Sequence, residues 1–191
     1  MESAILMAAG LGTRMRPLTD NTPKPLIKAA EKPVIETVVD GLWQHGVREI
    51  YVVTGYLAEQ FDYLAEKYPG LTLVNNEEYT VKNNISSIHA VCQYMGKTDC
   101  FICEADLYVS DPAIFDIPHD KSCYYGKYVA GHSDDWVFDM DGERIVRVGK
   151  GGDDTYNMVG ISYFKADDAA YIADAILKAY KEPGHETLFW D

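Results

Sequence analysis

Apolar positions in the first half of the chain alternate between two periods. Ala4–Ala8 is a continuous apolar run of strand length. Val34, Ile35, Val38, Val39, Leu42 and Trp43 then recur at the spacing of a helix face, with Gly46 where a C-cap belongs. Ile50–Thr54 predicts a second strand, Ala58–Lys67 a helix, Leu71–Val74 a third strand, Ile85–Met95 a helix and Cys100–Cys103 a fourth strand. Strands alternating with helices predict a mainly parallel sheet covered on both faces, because parallel neighbours must be joined through a crossover.

After Asp111 the rhythm changes. Cys123–Ala130 and Trp136–Met140 are strand-like, and Asp141-Gly142 predicts a hairpin turn into Arg144–Val148. Met158–Phe164 predicts a further strand, and Ala166–Tyr180 an amphipathic helix with Ile172, Ile176 and Tyr180 on one face. The expected fold is α/β, three-layered and Rossmann-like, with a mixed, mostly parallel sheet that gains antiparallel strands in its second half. No linker, repeat or low-complexity tract interrupts it. Residues 1–191 are therefore expected to form one domain, with a first half at about 1–110 and a second at about 111–191.

Charge sharpens this picture. The chain of 191 residues carries a net charge of −13, which excludes the broad positive field of a nucleic-acid binder. Yet residues 1–32 hold Arg14, Arg16, Lys24, Lys28 and Lys32 against Glu2, Asp20 and Glu31. A basic leading segment on an acidic body suggests a small anionic ligand held locally. No apolar run approaches the roughly 20 residues of a membrane helix, and the N-terminus lacks the basic region of a signal peptide. A cytoplasmic protein without membrane insertion is expected. Cys100 and Cys103 lie three apart on one predicted strand, so they point to opposite faces and are expected to be reduced core thiols. The five histidines show no ligand spacing.

The chemistry concentrates in Ile5-Leu-Met-Ala-Ala-Gly-Leu-Gly-Thr-Arg14-Met-Arg-Pro-Leu-Thr19, followed by Pro23-Lys24-Pro25. A buried strand delivers the chain to a loop in which Gly10 and Gly12 allow a tight turn and a close approach to phosphate. Arg14 adds a guanidinium, and two prolines stiffen the backbone around Lys24. The dinucleotide fingerprint fails because position 15 is Met rather than Gly, and no Walker string is present. Asp106 follows the fourth strand, at the carboxyl edge where open α/β sheets bind ligands. A carboxylate there suits Mg²⁺, which takes one or two carboxylates and completes its shell with phosphate and water.

The string L-x-A-A-G-x-G-x-R-x-x-P-x-T, followed by P-K-P-L, resembles the opening motif of the sugar-phosphate and choline-phosphate nucleotidyltransferases. The resemblance continues through Gly55-Tyr56, Asn76, Asn83-Asn84, Glu104-Ala-Asp106 and Gly160-Ile-Ser162. Tyr56-Leu-Ala-Glu-Gln-Phe-Asp-Tyr-Leu64, Asp134-Asp-Trp136-Val-Phe138 and Leu188-Phe-Trp-Asp191 are most similar to the bacterial CTP:phosphocholine cytidylyltransferases of the LicC type.

This resemblance implies a nucleotidyltransferase fold and transfer of a cytidylyl group from CTP to phosphocholine, giving CDP-choline and pyrophosphate. It places Lys24 at the α-phosphate, Arg14 at the leaving pyrophosphate, and Mg²⁺ on Asp106 and Asp191. Ala8, Ala9, Gly10, Gly12, Thr13, Asn84 and Ser87 would contact the nucleotide, although Asn and Ser before a helix serve equally well as N-caps. Trp136, Phe189, Trp190 and Asp191 would form an aromatic cage with a carboxylate for the quaternary ammonium. The same chemistry on a sugar 1-phosphate, phosphoethanolamine or an aminophosphonate is the alternative. A catalytically inactive, nucleotide-sensing regulatory domain is the alternative of another class: loss of Arg14, Lys24 or Asp106 would point to it, all three are present, and a terminal lesion at Asp191 is the one opening left for it. Family members run some tens of residues further, so the second half is expected to be truncated, and a fused or downstream choline kinase domain is an arrangement the family sometimes shows.

Overall fold

The computed structural model describes residues 2–190. The chain runs through β1 (Glu2–Met7), the short pair β2 (Lys28–Ala29) and β3 (Lys32–Pro33), α1 (Val34–His45), β4 (Glu49–Thr54), α2 (Asp62–Lys67), β5 (Leu71–Asn75) and α3 (Ile85–Val91). It continues through β6 (Asp99–Glu104), β7 (Cys123–Asp141), β8 (Arg144–Phe164) and α4 (Ala166–Ala179). Six strands form one sheet in the order β5-β4-β1-β6-β8-β7. The first four are mutually parallel, and β8 and β7 add antiparallel strands beyond β6.

The two-residue alternation of β1 divides the core. Ala4, Leu6 and Ala8 pack with Ile35, Val38 and Leu42 of α1 and Leu64 of α2. Ile5, Met7 and Ala9 face the other way, onto Ile88 and Val91 of α3 and Ala169, Ala173 and Ile176 of α4. Each face of the sheet is therefore closed by two helices, which is why its central strands are apolar on both sides. Cys103 belongs to the first cluster and Cys100 to the second, as their spacing predicts, and both are free thiols. Burial pushes the Cys100 thiol up to about 12.

Helix ends follow local chemistry. Gly46 closes α1 at φ 105°, donating its N–H to the carbonyls of Leu42 and Trp43. The segment expected to be helical from Ala58 to Lys67 splits into a 3₁₀ turn, Ala58–Phe61, and α2. Likewise α3 stops at Val91, and Cys92–Tyr94 forms a 3₁₀ turn. The largest difference lies in the second half. Separate strands are expected there, but β7 and β8 run for 19 and 21 residues, bulged at Val129/His132 and Ser133/Trp136. Val137 and Phe138 each pair twice, with Gly149 and Val148 and again with Asn157 and Tyr156. Neighbours on two sides bury them to 0% and 3% exposure. The tight turn falls one residue later than expected, on Gly142-Glu143, with Gly142 at φ 59°.

Candidate active site

The glycine-rich loop leaves β1 at the carboxyl edge of the sheet and is pinned to β4. Ala8 donates its N–H to the Val53 carbonyl at 2.8 Å, and Tyr56 donates to the Ala9 carbonyl at 3.2 Å. Gly12 sits at φ 62°, and a Cβ there would lie 3.0 Å from Thr19 Cγ2 and 3.2 Å from Lys24 Cβ. Glycine therefore serves both the left-handed turn and the close passage of the Lys24 segment. Thr19 Oγ1 closes the loop by donating to the Gly12 carbonyl at 2.8 Å. The 3₁₀ turn Thr13–Met15 follows and leaves Thr13 and Arg14 exposed.

Lys24 opens a second 3₁₀ turn between the buried prolines Pro23 and Pro25, and its ammonium pairs with the Asp106 carboxylate just beyond β6. Ala8, Ala9, Gly10, Gly12, Thr13, Arg14, Lys24, Asn84, Ser87 and Asp106 all line one cavity of about 350 Å³. It lies between the carboxyl ends of β1 and β6, where the strand order reverses, the usual ligand crevice of an open α/β sheet. Its size is within the range of small-molecule sites.

The opposite wall is polar and ordered. Asn76, buried after β5, donates from Nδ2 to the Ser86 hydroxyl at 2.9 Å and to the Ser87 hydroxyl at 3.2 Å. Ser87 does not open the helix, as its position after the two asparagines suggests, but lies inside the first turn of α3. Tyr79 lines the same wall. Gly55 makes room for its ring, since a Cβ at Gly55 would lie 2.8 Å from Tyr79 Cγ. Lys82 also lines the cavity, and its hydrogen bond holds the Glu78 carboxyl below the usual carboxylate range against the opposing effect of burial. Burial holds the nearby His89 imidazole below the usual histidine range.

Asn83 and Asn84 do more than end a loop. The Asn83 N–H donates to the Glu186 carbonyl at 2.8 Å, and the Asn84 Oδ1 accepts the Trp190 N–H at 3.1 Å. The pair thus clasps the segment after α4 onto the rim of the cavity, and Asn84 provides no side-chain cap for α3. Asn76, Asn83 and Glu104 stand within the motifs of the family resemblance, whereas Tyr79, Lys82 and Ser86 come from the structure. The Glu78–Lys82 spacing, one helical turn, was the available signal for Lys82.

The aromatic residues separate into two places. Trp136 and Phe189 meet edge to face at 5.2 Å, and Lys150 Nζ lies 5.8 Å from the Trp136 ring centre. Neither ring lines the 350 Å³ cavity. Trp190 stacks on Tyr124 at 6.2 Å and lines a water-sized chamber of about 20 Å³ with Glu104, Gly160 and Ser162. That chamber adjoins the main cavity through Met7 and Glu104. Asp191 lies outside the described residues. Among the described residues no cluster of three or more His, Cys, Asp or Glu could enclose a metal ion. Asp106, with Glu104 the other carboxylate on the wall of this cavity, nevertheless fits a Mg²⁺-type ion, which takes most of its shell from phosphate and water.

Residues 4–120 match the MobA-like NTP transferase domain. The chain belongs to this family. A 2-aminoethylphosphonate cytidylyltransferase from Lancefieldella rimae is 57% identical over 190 residues, spanning 99% of this chain and 77% of the relative. A choline-phosphate cytidylyltransferase from Streptococcus pneumoniae is 36% identical over 192 residues, spanning 98% of this chain and 81% of the relative. The solved CTP:phosphocholine cytidylyltransferase LicC from S. pneumoniae superposes with a TM-score of 0.89 at 34% identity, over 100% of this chain and 82% of that one. This NTP transferase is an enzyme of the cytidylyltransferase type, a nucleotidyltransferase with the Rossmann-like mixed sheet of LicC. Among the described residues, no helix of this NTP transferase is long and apolar enough to cross a membrane.

Proposed function

We propose that the chain transfers a cytidylyl group from CTP to a small aminoalkylphosphonate of the 2-aminoethylphosphonate kind, releasing pyrophosphate. The observation that carries the transfer chemistry is the Lys24–Asp106 pair lining the same 350 Å³ cavity as the glycine-rich loop. The acceptor assignment is supported by the higher identity to the 2-aminoethylphosphonate enzyme, 57% against 36% for the choline-phosphate enzyme. The placement of Trp136 and Phe189 agrees with it. A quaternary ammonium needs aromatic faces free to receive it, and Trp136 already lies beneath the protein's own Lys150 ammonium. A primary ammonium can instead donate hydrogen bonds to carboxylates and hydroxyls.

In this reading the phosphonate oxygen attacks the α-phosphorus, the new P–O bond forms in line, and the bond to the β-phosphate oxygen breaks. The acceptor is already ionised near neutral pH, so the protein's part is placement and charge. Lys24 lies at the α-phosphate and Arg14 at the departing pyrophosphate. Gly10 and Gly12 hold the phosphate chain close to backbone. Enzymes of this family generally use a divalent metal ion. Asp106 would hold it, joined by Asp191 as the family resemblance implies, and the ion would neutralise phosphate charge. Every residue lining the main cavity falls between Met7 and Asp106, which supports reading residues 1–110 as the nucleotide half and 111–191 as the acceptor half.

The test is pyrophosphate release with Mg²⁺, pairing CTP, UTP, dTTP, GTP and ATP with 2-aminoethylphosphonate, phosphocholine, phosphoethanolamine and glucose 1-phosphate. The highest kcat/KM is expected for CTP with 2-aminoethylphosphonate. A higher value for phosphocholine would overturn the acceptor assignment and return the aromatic pair to consideration as a cage.

A further inference from the structure

Behind the polar wall of the cavity stands a holder for one cation that the transfer chemistry leaves unused. The Lys82 side chain is 17% exposed and ion-paired to Glu78 four residues before it. Its ammonium lies 4.2 Å from the centre of the Tyr180 ring. The Tyr180 hydroxyl donates to the second Glu78 oxygen at 2.8 Å, and the His89 ring stacks on Tyr180 with centres 3.6 Å apart. Glu78 is also tied to the base of the wall, because its N–H donates to Asn76 Oδ1 at 2.9 Å. Thus the residue that orders the Ser86 and Ser87 hydroxyls also anchors the carboxylate that holds Lys82.

A nucleotide entering this cavity has its phosphates fixed by the loop from Gly10 to Arg14 and by Lys24, so the wall of Asn76, Tyr79, Lys82 and Ser87 meets the nucleoside. Ser87 cannot separate cytosine from uracil by itself, because a hydroxyl both donates and accepts. An ammonium only donates. Cytosine presents adjacent acceptors at N3 and O2, whereas uracil presents an N3–H donor beside O2. An ammonium facing that edge pairs with cytosine and opposes uracil donor to donor, and an unpaired buried donor is costly. We propose that Lys82 is a specificity-determining residue that reads the N3 and O2 edge of cytosine, with Glu78 and Tyr180 as positioning residues. The proposal rests on the cytidylyl reading above.

The experiment measures binding of CMP and UMP to the full chain by calorimetry, and kcat and KM for CTP and UTP with 2-aminoethylphosphonate. The variants are Lys82→Met, Lys82→Arg and Tyr180→Phe, with thermal melts to confirm folding. Lys82→Met is expected to lower the CMP-over-UMP preference about 10- to 100-fold, the effect of losing one charged hydrogen bond. The loss should fall on the KM for CTP with little change in kcat. Lys82→Arg should retain most of the preference, and Tyr180→Phe should lower it a few-fold by releasing Glu78. An unchanged CMP/UMP ratio in Lys82→Met, or an equal loss for both nucleotides, would overturn the role of Lys82. If Lys82→Met does not fold, an unchanged ratio in Tyr180→Phe overturns the positioning device. A wild type that binds UMP better than CMP would instead sink the cytidylyl reading itself, and is told apart because it needs no variant.

Discussion

Replacing Asp106 by Ala separates what the Lys24–Asp106 pair does for folding from what it does for turnover. The two side chains are 33% and 29% exposed, so water competes for both charges. A pair of that exposure contributes about 1 kcal/mol or less to stability. For a chain of this size that is a fall in Tm of about 2–4 °C. The effect on catalysis is larger. Asp106 fixes the Lys24 ammonium on the cavity wall and, in the proposed role, would hold the metal ion; removing one such preorganised electrostatic element costs about 3–4 kcal/mol of transition-state stabilisation. The expected fall in kcat is about 10²- to 10³-fold. Lys24 remains and loses only its internal partner, so CTP binding should be kept and the KM for CTP should move by no more than about threefold. A pyrophosphate-release assay at saturating CTP and acceptor reads the first quantity, and a thermal melt reads the second. A kcat within tenfold of wild type would refute the catalytic role. A Tm fall beyond about 10 °C would show that the pair is chiefly structural.

Two further perturbations probe the wall and its surroundings. Gly55→Ala would set a Cβ 2.8 Å from Tyr79 Cγ and 3.0 Å from Ala9 Cβ, forcing the ring toward the cavity. A loss of about 1–3 kcal/mol in stability by urea unfolding is expected, together with a raised KM for CTP, and an unchanged KM would show that Tyr79 does not shape the nucleotide site. His89 gives a pH signature, since burial against Tyr180 holds its imidazole below the usual histidine range. The unfolded chain, with a pKa near 6.5, takes up the proton first as pH falls, so this contribution is complete above about pH 6.5 and is lost as pH drops toward the folded value. Tm should therefore fall less between pH 7.5 and 5.5 in His89→Phe, which keeps the stacked ring, than in wild type; parallel curves would contradict the assignment.

Much of the main cavity is legible without coordinates because it is local. A buried strand ending in Gly10-x-Gly12, a lysine between two prolines and a carboxylate after a strand each state their conformation in a few residues. The parallel half of the sheet follows from periodicity for the same reason. The hairpin of β7 and β8 is harder to read. Val137 and Phe138 are buried by two sets of partners, and a strand with neighbours on both sides cannot be told from an ordinary apolar pair by alternation.

Residue type and order by themselves determined the glycine-rich end of the cavity, since Gly12, Arg14 and Lys24 fall within one short stretch whose backbone options are few. They also determined the division of the core, because β1 and β6 alternate their apolar side chains between two faces. Only the tertiary structure decided how the segment after α4 reaches the cavity, with Asn84 and Trp190 meeting across 106 positions of chain. It alone set Tyr180 beside Glu78 and Lys82, and Trp136 under Lys150 rather than on the cavity wall. The physical reason is common to these cases. A loop or strand is specified by steric and hydrogen-bonding rules acting over a few neighbouring residues, whereas a contact between distant segments depends on the packing of every element between them.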